Sequence, residues 1–175
     1  MNNQMIENLI RAYVESAEPD INQNLRAGIV TEDVHLFESL FIEANVPNIL
    51  FRLLPVENIN ITDGIICDSA YMSCTKDIDK FIDKVRGENI ACLKINMHSP
   101  FRRINVNELL PDHNDEGEFI LPRDLKLKVL KFQRFNDAMG FSSFLDLVGS
   151  FESVESLTGI YHYNEIDLYE LEIIE

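Results

Sequence analysis

Two glutamates separated by a single glycine are the residues of this 175-residue chain whose types and spacing most clearly suggest chemistry. Glu116 and Glu118 stand directly before the apolar residues 119–121. In an extended strand, residues i and i+2 point to the same face, so a regular strand places the two carboxylates side by side. One carboxylate of such a pair can stabilise a cationic sugar while the other handles a proton or a basic acceptor. The alternative is a charged loop that leads into a strand, because short motifs often match by accident.

Arg52 is a single cation within the apolar run 49–54, which is typical of a buried strand. A buried arginine is costly unless an anion pairs with it. Its planar guanidinium fits a phosphate or a carboxylate, so Arg52 is a candidate for binding an anionic ligand. The alternative partner is an internal aspartate or glutamate, because the chain has 30 of these residues.

Ser73 and Thr75 close a second short apolar run. Their hydroxyls face the same way in an extended chain and could orient a sugar or an amide. Thr75 has an alternative role as the cap of a helix that we expect to begin near Lys76. Ser73 is less easily explained by capping, and no histidine or lysine stands at an obvious spacing to activate it as a nucleophile.

Composition argues against several classes of function. The chain has 15 basic and 30 acidic residues, so its formal net charge is 15 − 30 = −15. Such a charge disfavours binding to nucleic acid through phosphate neutralisation and adsorption to anionic membranes. It is compatible with attraction to a basic protein surface, and also with solubility alone. The hydrophobic content of 46% is sufficient for a folded core.

The cysteines, the histidines and the N-terminus set further limits. Three cysteines without a C-x-x-C pair and four scattered histidines predict reduced thiols and no metal site. The first residues lack a basic segment followed by a long apolar one, so we expect a cytoplasmic protein with no signal peptide.

The elements that must position these residues follow from the apolar spacing. Residues 5–14 and 31–41 show helical stripes, and a further helix is expected over 76–85. Short strands are predicted at 49–54, 65–67, 70–72, 90–97, 119–121, 125–130 and 161–174, whereas 136–156 is ambiguous. Helices followed by strands predict an α+β fold with one domain over 1–175, helical over 1–48 and β-rich over 49–175.

The ordered set of motifs resembles the arginine–serine–glutamate, exoenzyme-type family of mono-ADP-ribosyltransferases. Phe51-Arg52 matches the aromatic-arginine motif of that family. Residues 70–75 match its Ser-Thr-Ser motif with the preceding small residue and aromatic, and residues 116–123 match its Glu-x-Glu with the following apolar strand and Pro-Arg. Residues 21–26 resemble the I-N-x-x-L-R stretch that precedes the arginine strand.

The resemblance covers roughly residues 20–130, and the chain departs from the family pattern in two places. Cys74 and Thr75 stand where the motif usually has Thr and Ser, although Thr75 keeps a hydroxyl. Leu53 follows the motif arginine where the family often has glycine, which bears on how closely a nucleotide approaches that strand.

The resemblance implies a two-sheet, mostly antiparallel β core and NAD as the substrate. It implies that Glu118 is the catalytic glutamate, which bonds a ribose hydroxyl and stabilises the sugar cation. Glu116 would face the acceptor, for which arginine is the expected side chain. Ser73 would support the nicotinamide ribose and Glu118, and Arg52 would bind the phosphates.

The resemblance further assigns four residues to cofactor binding: Thr75, Asn22, Tyr71 and Phe81. Tyr71 and Phe81 would stack near nicotinamide, and a place in the core is the alternative for both aromatic rings.

The activity implied is transfer of ADP-ribose from NAD to a protein with release of nicotinamide and without a metal. A phage product or an injected bacterial effector that modifies a host protein fits the small size and the missing signal. Two alternatives remain open, namely an NAD glycohydrolase that uses water as acceptor and a catalytically silent acidic module that docks on a basic partner.

Overall fold

The computed structural model describes most of the chain and defines five α-helices and ten strands within it. The described residues are 3–16, 19–80, 82, 85, 87–113, 117–149 and 162–174. The helices are α1 (Asn3–Val14), α2 (Asp20–Arg26), α3 (Glu32–Glu38), α4 (Val106–Leu109) and α5 (Ala138–Val148). The strands are β1 (Ile42–Ala44), β2 (Ile49–Pro55), β3 (Ile61–Thr62), β4 (Ile65–Asp68), β5 (Met72–Thr75), β6 (Asn89–Asn96), β7 (Phe101–Asn105), β8 (Glu118–Leu121), β9 (Leu125–Phe135) and β10 (Glu165–Ile174).

The strands follow one another in the order β1-β7-β8-β5-β2-β6-β10-β9-β4-β3. Every neighbouring pair with a recorded direction is antiparallel except β6 and β10, which run parallel. The predicted α+β class with N-terminal helices and a mostly antiparallel β core is therefore confirmed.

A single residue pair, Phe51 with Thr75, joins β2 to β5. The order of strands is thus continuous in one ten-stranded sheet, and the division into two sheets stays a prediction; two groups of strands meet at this junction. Both groups contribute to one apolar core, with Leu50 and Leu93 from one side and Met72 and Phe119 from the other. The candidate residues Arg52 and Ser73 lie on strands that face each other across the junction.

Two further cores cover the outer faces of the strands. The N-terminal helices and α4 pack on β7 and β8, where Phe37, Val106 and Ile120 are fully buried. On the other side, α5 packs Phe141 and Phe144 against the end of β9.

The N-terminal block differs from its prediction as a helical segment. Thr31 stands at the N-cap of α3 as expected, but the helix ends at Glu38 and the chain then forms β1, which pairs with β7. A three-residue edge strand depends on its distant partner and carries no periodic signal of its own.

In two other segments the observed secondary structure differs from the predicted one or is more definite than it. In the predicted helix over 76–85 the structure shows a 3-10 turn at Ile78–Lys80, and residues 81, 83 and 84 lie outside the described part. The ambiguous stretch contains α5, whose first turn is capped by Asp137 through a hydrogen bond from the Gly140 amide at 2.7 Å. Within the described residues, no helix has both the length and the apolar character needed to span a membrane.

Candidate functional site

Ser73 and Glu118 form the centre of the candidate site. The strands β5 and β8 are antiparallel, with Ser73 opposite Ile120 and Thr75 opposite Glu118. Strand alternation puts all four side chains on one face and makes Ser73 and Glu118 diagonal neighbours. The Ser73 hydroxyl donates a hydrogen bond to Oε1 of Glu118, whose residue is only 4% exposed. The structure thus holds a buried carboxylate in a fixed orientation.

Gly117 gives the Glu-x-Glu segment a bend that the regular-strand prediction missed. Its φ is +60°, in the left-handed region, and β8 begins only at Glu118. Its carbonyl accepts a hydrogen bond from the Lys76 amide at 3.1 Å, and a Cβ at this position would lie 2.6 Å from Lys76 Cγ and 2.8 Å from Asp77 Oδ2. Glycine fits because it has no Cβ. Strand alternation therefore does not relate Glu116 to Glu118, and Glu116 lies outside the described residues.

Arg52 faces an internal carboxylate, which was the alternative partner considered from the sequence. Its Nη2 lies 3.8 Å from Oδ2 of Asp68, and its side chain is 17% exposed. Within the described part of the chain, the Arg52 guanidinium forms this ion pair and no hydrogen bond. Donors therefore remain available to an anion such as a phosphate.

Asp68 is bound more tightly by a second arginine. Arg26 donates to both carboxylate oxygens, at 3.3 Å from Nε and 2.9 Å from Nη2. Burial alone would raise the pKa of Asp68, but the hydrogen bonds from Arg26 and from the Ala70 amide, with the charges of Arg26 and Arg52, hold that pKa below its usual value. The carboxylate is therefore ionised at neutral pH.

Arg52 and Glu118 act on the same buried groups, although they lie on different strands. Burial raises the pKa of the Cys74 thiol to about 12, while the charge of Arg52 lowers it and that of Glu118 raises it. Burial also raises the pKa of the Tyr13 hydroxyl, and here too the charge of Arg52 lowers the pKa and the charge of Glu118 raises it. Arg52 and Glu118 therefore lie within electrostatic reach of the same two residues, Cys74 and Tyr13.

Asn22 and Tyr71 are buried and form contacts with other interior residues. The Asn22 amide donates to the Tyr71 carbonyl at 3.1 Å and to the Tyr13 hydroxyl at 3.2 Å, and its oxygen accepts from the Tyr71 amide at 3.1 Å. The Tyr71 ring is 1% exposed and lies 4.7 Å from the Phe37 ring and 5.5 Å from the Phe41 ring, between centroids. These contacts place both residues in the interior, and a cofactor role for either residue stays a prediction.

Thr75 uses its hydroxyl locally. Its Oγ1 accepts from the Asp77 amide at 2.9 Å and contacts the Asp77 carbonyl at 3.2 Å. These are local contacts before the 3-10 turn at Ile78–Lys80 rather than the cap of an α-helix that begins near Lys76, and binding of a cofactor by Thr75 stays a prediction. Phe81 lies outside the described residues, so its assignment also stays a prediction.

Sequence reasoning missed two residues of this neighbourhood, Asp68 and Tyr13. The requirement that Arg52 have an anionic partner was the signal for Asp68, but it did not select one carboxylate among many. Tyr13 gave no signal beyond its place near the apolar stripe of α1, because its hydrogen bond to the Tyr71 carbonyl joins residues 58 positions apart.

No group of three or more histidine, cysteine, aspartate or glutamate side chains in the described ranges is arranged to hold a metal ion. A cleft of about 190 Å³ lies beyond the far end of β8, where Pro122 and Arg123 form part of its wall. Neither Ser73 nor Glu118 lines this cleft, whereas Tyr71, one of the residues assigned to cofactor binding, does.

Comparison with known proteins gives a likeness of structure at low sequence identity. No protein-family model and no curated protein matches the chain by sequence. The ATR domain of SpvB from Salmonella aligns over 100% of both chains, with 14% identity and a TM-score of 0.64. Plx2a, an ADP-ribosyltransferase toxin from Paenibacillus larvae, aligns over 98% of this chain and 87% of its own, with 13% identity and a TM-score of 0.57.

A third similar structure contains a bound nucleotide. Exoenzyme S from Pseudomonas aeruginosa, in complex with human 14-3-3 protein beta and carba-NAD, aligns over 97% of this chain and 72% of its own. The identity is 12% and the TM-score is 0.54. Together these likenesses show that the chain has the fold of ADP-ribosyltransferase toxins.

Proposed function

We propose that this protein is an NAD-dependent mono-ADP-ribosyltransferase that releases nicotinamide and transfers ADP-ribose to a protein side chain, most readily arginine. The observation that carries the proposal is the buried Glu118 carboxylate held by the Ser73 hydroxyl across β5 and β8. The shared fold supports it, and exoenzyme S, which has that fold, binds carba-NAD in its structure.

Glu118 supplies the negative charge that this reaction needs. The bond between nicotinamide and ribose breaks with its electron pair on the nicotinamide nitrogen, and a new bond forms from the ribose carbon to an acceptor nitrogen. Positive charge develops on the sugar between these events, as in glycoside hydrolysis. A carboxylate that is 4% exposed stabilises this charge more strongly than one in water, because the local dielectric is low.

Ser73 and Arg52 prepare the site for the substrate. The Ser73 hydroxyl fixes one Glu118 oxygen, which leaves the carboxylate no need to reorient as charge develops. Arg52 keeps hydrogen-bond donors beyond its 3.8 Å ion pair, and these fit the oxygens of a diphosphate.

Glu116 is assigned to the acceptor. A carboxylate at this position would hold a guanidinium and accept the proton that the attacking nitrogen loses. The net charge of −15 favours a protein target with a basic surface. We further propose that the protein is a phage or bacterial effector that acts in the cytoplasm of a host cell.

The test is incubation of the protein with adenine-labelled NAD and a bacterial lysate, with nicotinamide release and protein labelling measured in parallel. Glu118→Gln should abolish both signals. Glu116→Gln should retain nicotinamide release while protein labelling falls. Glu172→Gln is the matched control, because Glu172 lies on β10 and pairs with Lys128 at 3.1 Å; both activities should persist.

Other outcomes select the alternatives. Nicotinamide release without protein labelling by the unmodified protein would identify an NAD glycohydrolase. A protein that releases no nicotinamide but captures a basic partner equally well with Glu118→Gln would be a binding module. Labelling that survives Glu118→Gln would overturn the assigned site.

A further inference from the structure

The long strand β9 has a neighbouring strand along the whole of one side but along only part of the other. β10 pairs with residues 126–135, whereas β4 pairs only with residues 125–128. The Gly64 carbonyl extends the contact with the β3–β4 hairpin by accepting from the Val129 amide at 2.8 Å. Among the residues that the structure describes, no strand pairs with residues 130–135 on the side away from β10. These residues therefore present an open sheet edge, whose backbone groups can pair with another strand.

Two large apolar side chains are exposed on this edge. Leu130 is 49% exposed and Phe132 is 46% exposed. The Phe132 ring lies 4.9 Å from the Tyr169 ring between centroids, and the Arg134 guanidinium lies 5.8 Å from the Phe132 centroid. These contacts hold the Phe132 ring at the rim of the core while nearly half of the residue stays in solvent. An exposed apolar edge of a sheet is a site at which another strand associates.

The two strands at this edge carry no net charge, in contrast to the chain as a whole. β9 has four cations and no acidic residue, and β10 has four acidic residues and no cation, so their sum is 4 − 4 = 0 in a chain of net charge −15. The ion pairs between them are Lys128–Glu172 at 3.1 Å, Lys131–Glu170 at 3.8 Å, Arg134–Glu165 at 3.3 Å and Arg134–Asp167 at 2.7 Å. Two molecules of this net charge repel each other, so a neutral edge is where a second copy approaches at low electrostatic cost.

Two features of β9 allow an alternative, in which the edge is protected from association. Leu130 has no residue opposite it on β10, because the register shifts between Glu170 and Leu171, and bulges and lysines are both common on protected edges. The charge of Lys131, however, is already balanced by Glu170. A protected edge predicts a monomer at every concentration, and this outcome is part of the test below.

From these observations we infer that the open edge of β9 pairs with the same edge of a second copy of this chain. The two strands run antiparallel about a two-fold axis at Phe132, so that Phe132 lies opposite Phe132 of the other copy. Lys131 then lies opposite Gln133, and Leu130 lies opposite Arg134. Like charges directly opposite would destabilise such a pairing, and this register contains none.

The dimer is expected to be weak and reversible. One strand from each copy forms an interface at the low end of the size range, below about 1,200 Å² in total. The association is separate from the proposed activity, because β5, β2, β6 and β10 lie between β8 and β9 in the order of strands.

Sedimentation equilibrium of the full chain provides the first measurement, from about 1 µM to about 1 mM protein. The fraction of dimer should rise with concentration. It should also rise between about 0.1 and 1 M NaCl, because the Debye length falls from about 10 to about 3 Å and the repulsion between two acidic molecules is screened. A monomer under all conditions, or association that weakens as salt is added, would overturn the inference.

Substitutions on the two edges of the sheet locate the contact. Phe132→Lys and Leu130→Lys should each raise the dissociation constant of the dimer by about tenfold or more, because each puts a charge in place of an apolar contact. Ile42→Lys is the matched control, since Ile42 is 52% exposed on the edge strand β1 at the other end of the sheet. Ile42→Lys should dimerise like the unmodified protein.

Using two variants of β9 keeps this test valid if one of them does not fold, which far-ultraviolet circular dichroism would show. A dimer of unmodified strength in a folded Phe132→Lys or Leu130→Lys protein would overturn the inference. An equal loss of dimer in Ile42→Lys would overturn it as well.

Amide hydrogen exchange provides a measurement that needs no substitution. Backbone groups that pair with a second copy exchange more slowly when the dimer forms. Peptides that contain residues 130–135 should therefore become more protected at high protein concentration, and peptides that contain residues 42–44 should not. A dimer without added protection at residues 130–135 would overturn the inference.

Discussion

The Ser73 hydroxyl donates to the Glu118 carboxylate from a diagonal position on the neighbouring strand, although Thr75 stands directly opposite Glu118. The hydroxyl of Thr75 contacts the Asp77 backbone instead. Two hydroxyls that share one face of β5 thus have different partners. The Ser73 contact is the one that orients the carboxylate in the reaction that we propose.

Replacing Ser73 with alanine should lower the rate of nicotinamide release by about a hundredfold, because Glu118 loses the group that fixes its orientation. The urea midpoint should also fall, because the buried Glu118 carboxylate loses a hydrogen-bond donor, so the rates are compared under conditions in which both proteins are folded. Ser142→Ala is the control, because Ser142 is an exposed serine on α5 that bonds the Ala138 carbonyl. A Ser73→Ala variant with the unmodified rate would exclude the orienting role.

Gly117→Ala should destabilise the fold more than Gly28→Ala. Both glycines have positive φ, +60° and +74°, so each substitution carries a similar conformational penalty of about 1–2 kcal/mol. At Gly28 a Cβ meets no atom within 4 Å, whereas at Gly117 it meets Lys76 and Asp77. Crowding should add about 1–3 kcal/mol at Gly117, measured by urea unfolding.

The same two variants also show whether crowding at Gly117 affects nicotinamide release as well as stability. Displacement of the backbone at Gly117 moves the adjacent Glu118, so nicotinamide release should fall in Gly117→Ala and persist in Gly28→Ala. If the two variants lost equal stability, the close approach of Lys76 and Asp77 to Gly117 would not be a feature of the protein in solution.

Asn22→Ala should lower the free energy of unfolding by about 2–4 kcal/mol, because the buried Tyr71 amide loses its partner and the Tyr71 carbonyl loses one of two donors. Asn24→Ala on the same helix should cost less than about 0.5 kcal/mol. Chemical denaturation of both variants tests the comparison. Equal losses would show that the contacts of Asn22 with Tyr71 contribute little to stability.

The acid sensitivity of the fold should depend on Asp68. Because the pKa of Asp68 is lower in the folded protein than in the unfolded chain, its ion pairs contribute stability above the unfolded value of about 3.9. That contribution is lost as the pH falls through the lower folded value. The difference in unfolding free energy between the unmodified protein and Asp68→Asn should therefore be constant from pH 8 to 5 and shrink below about pH 4. A difference that grows as the pH falls below 4 would contradict this sign.

The sequence predicted the strands that carry the site because their apolar runs are local signals. The run around Arg52 corresponds to β2, and residues 119–121 lie within β8 directly after Glu118. Apolar content over a few residues reports burial, and burial on both faces is what a central strand requires. The strand positions of Arg52 and Glu118 could therefore be predicted, although their roles stay proposals.

The remaining features depend on contacts between distant residues. The left-handed bend at Gly117 is set by Lys76 and Asp77, which stand about 40 positions earlier in the chain, and a glycine by itself permits either sign of φ. The partner of Arg52 is likewise selected by the fold, because Asp68 is one of 30 acidic residues and has no local mark.

The junction between β2 and β5 is narrow, because it consists of the single pair of Phe51 with Thr75. Arg52 follows Phe51 on one side of this junction, while Ser73 and its partner Glu118 lie on the other. A substrate bound by both Arg52 and Glu118 would therefore bridge the two groups of strands across this junction.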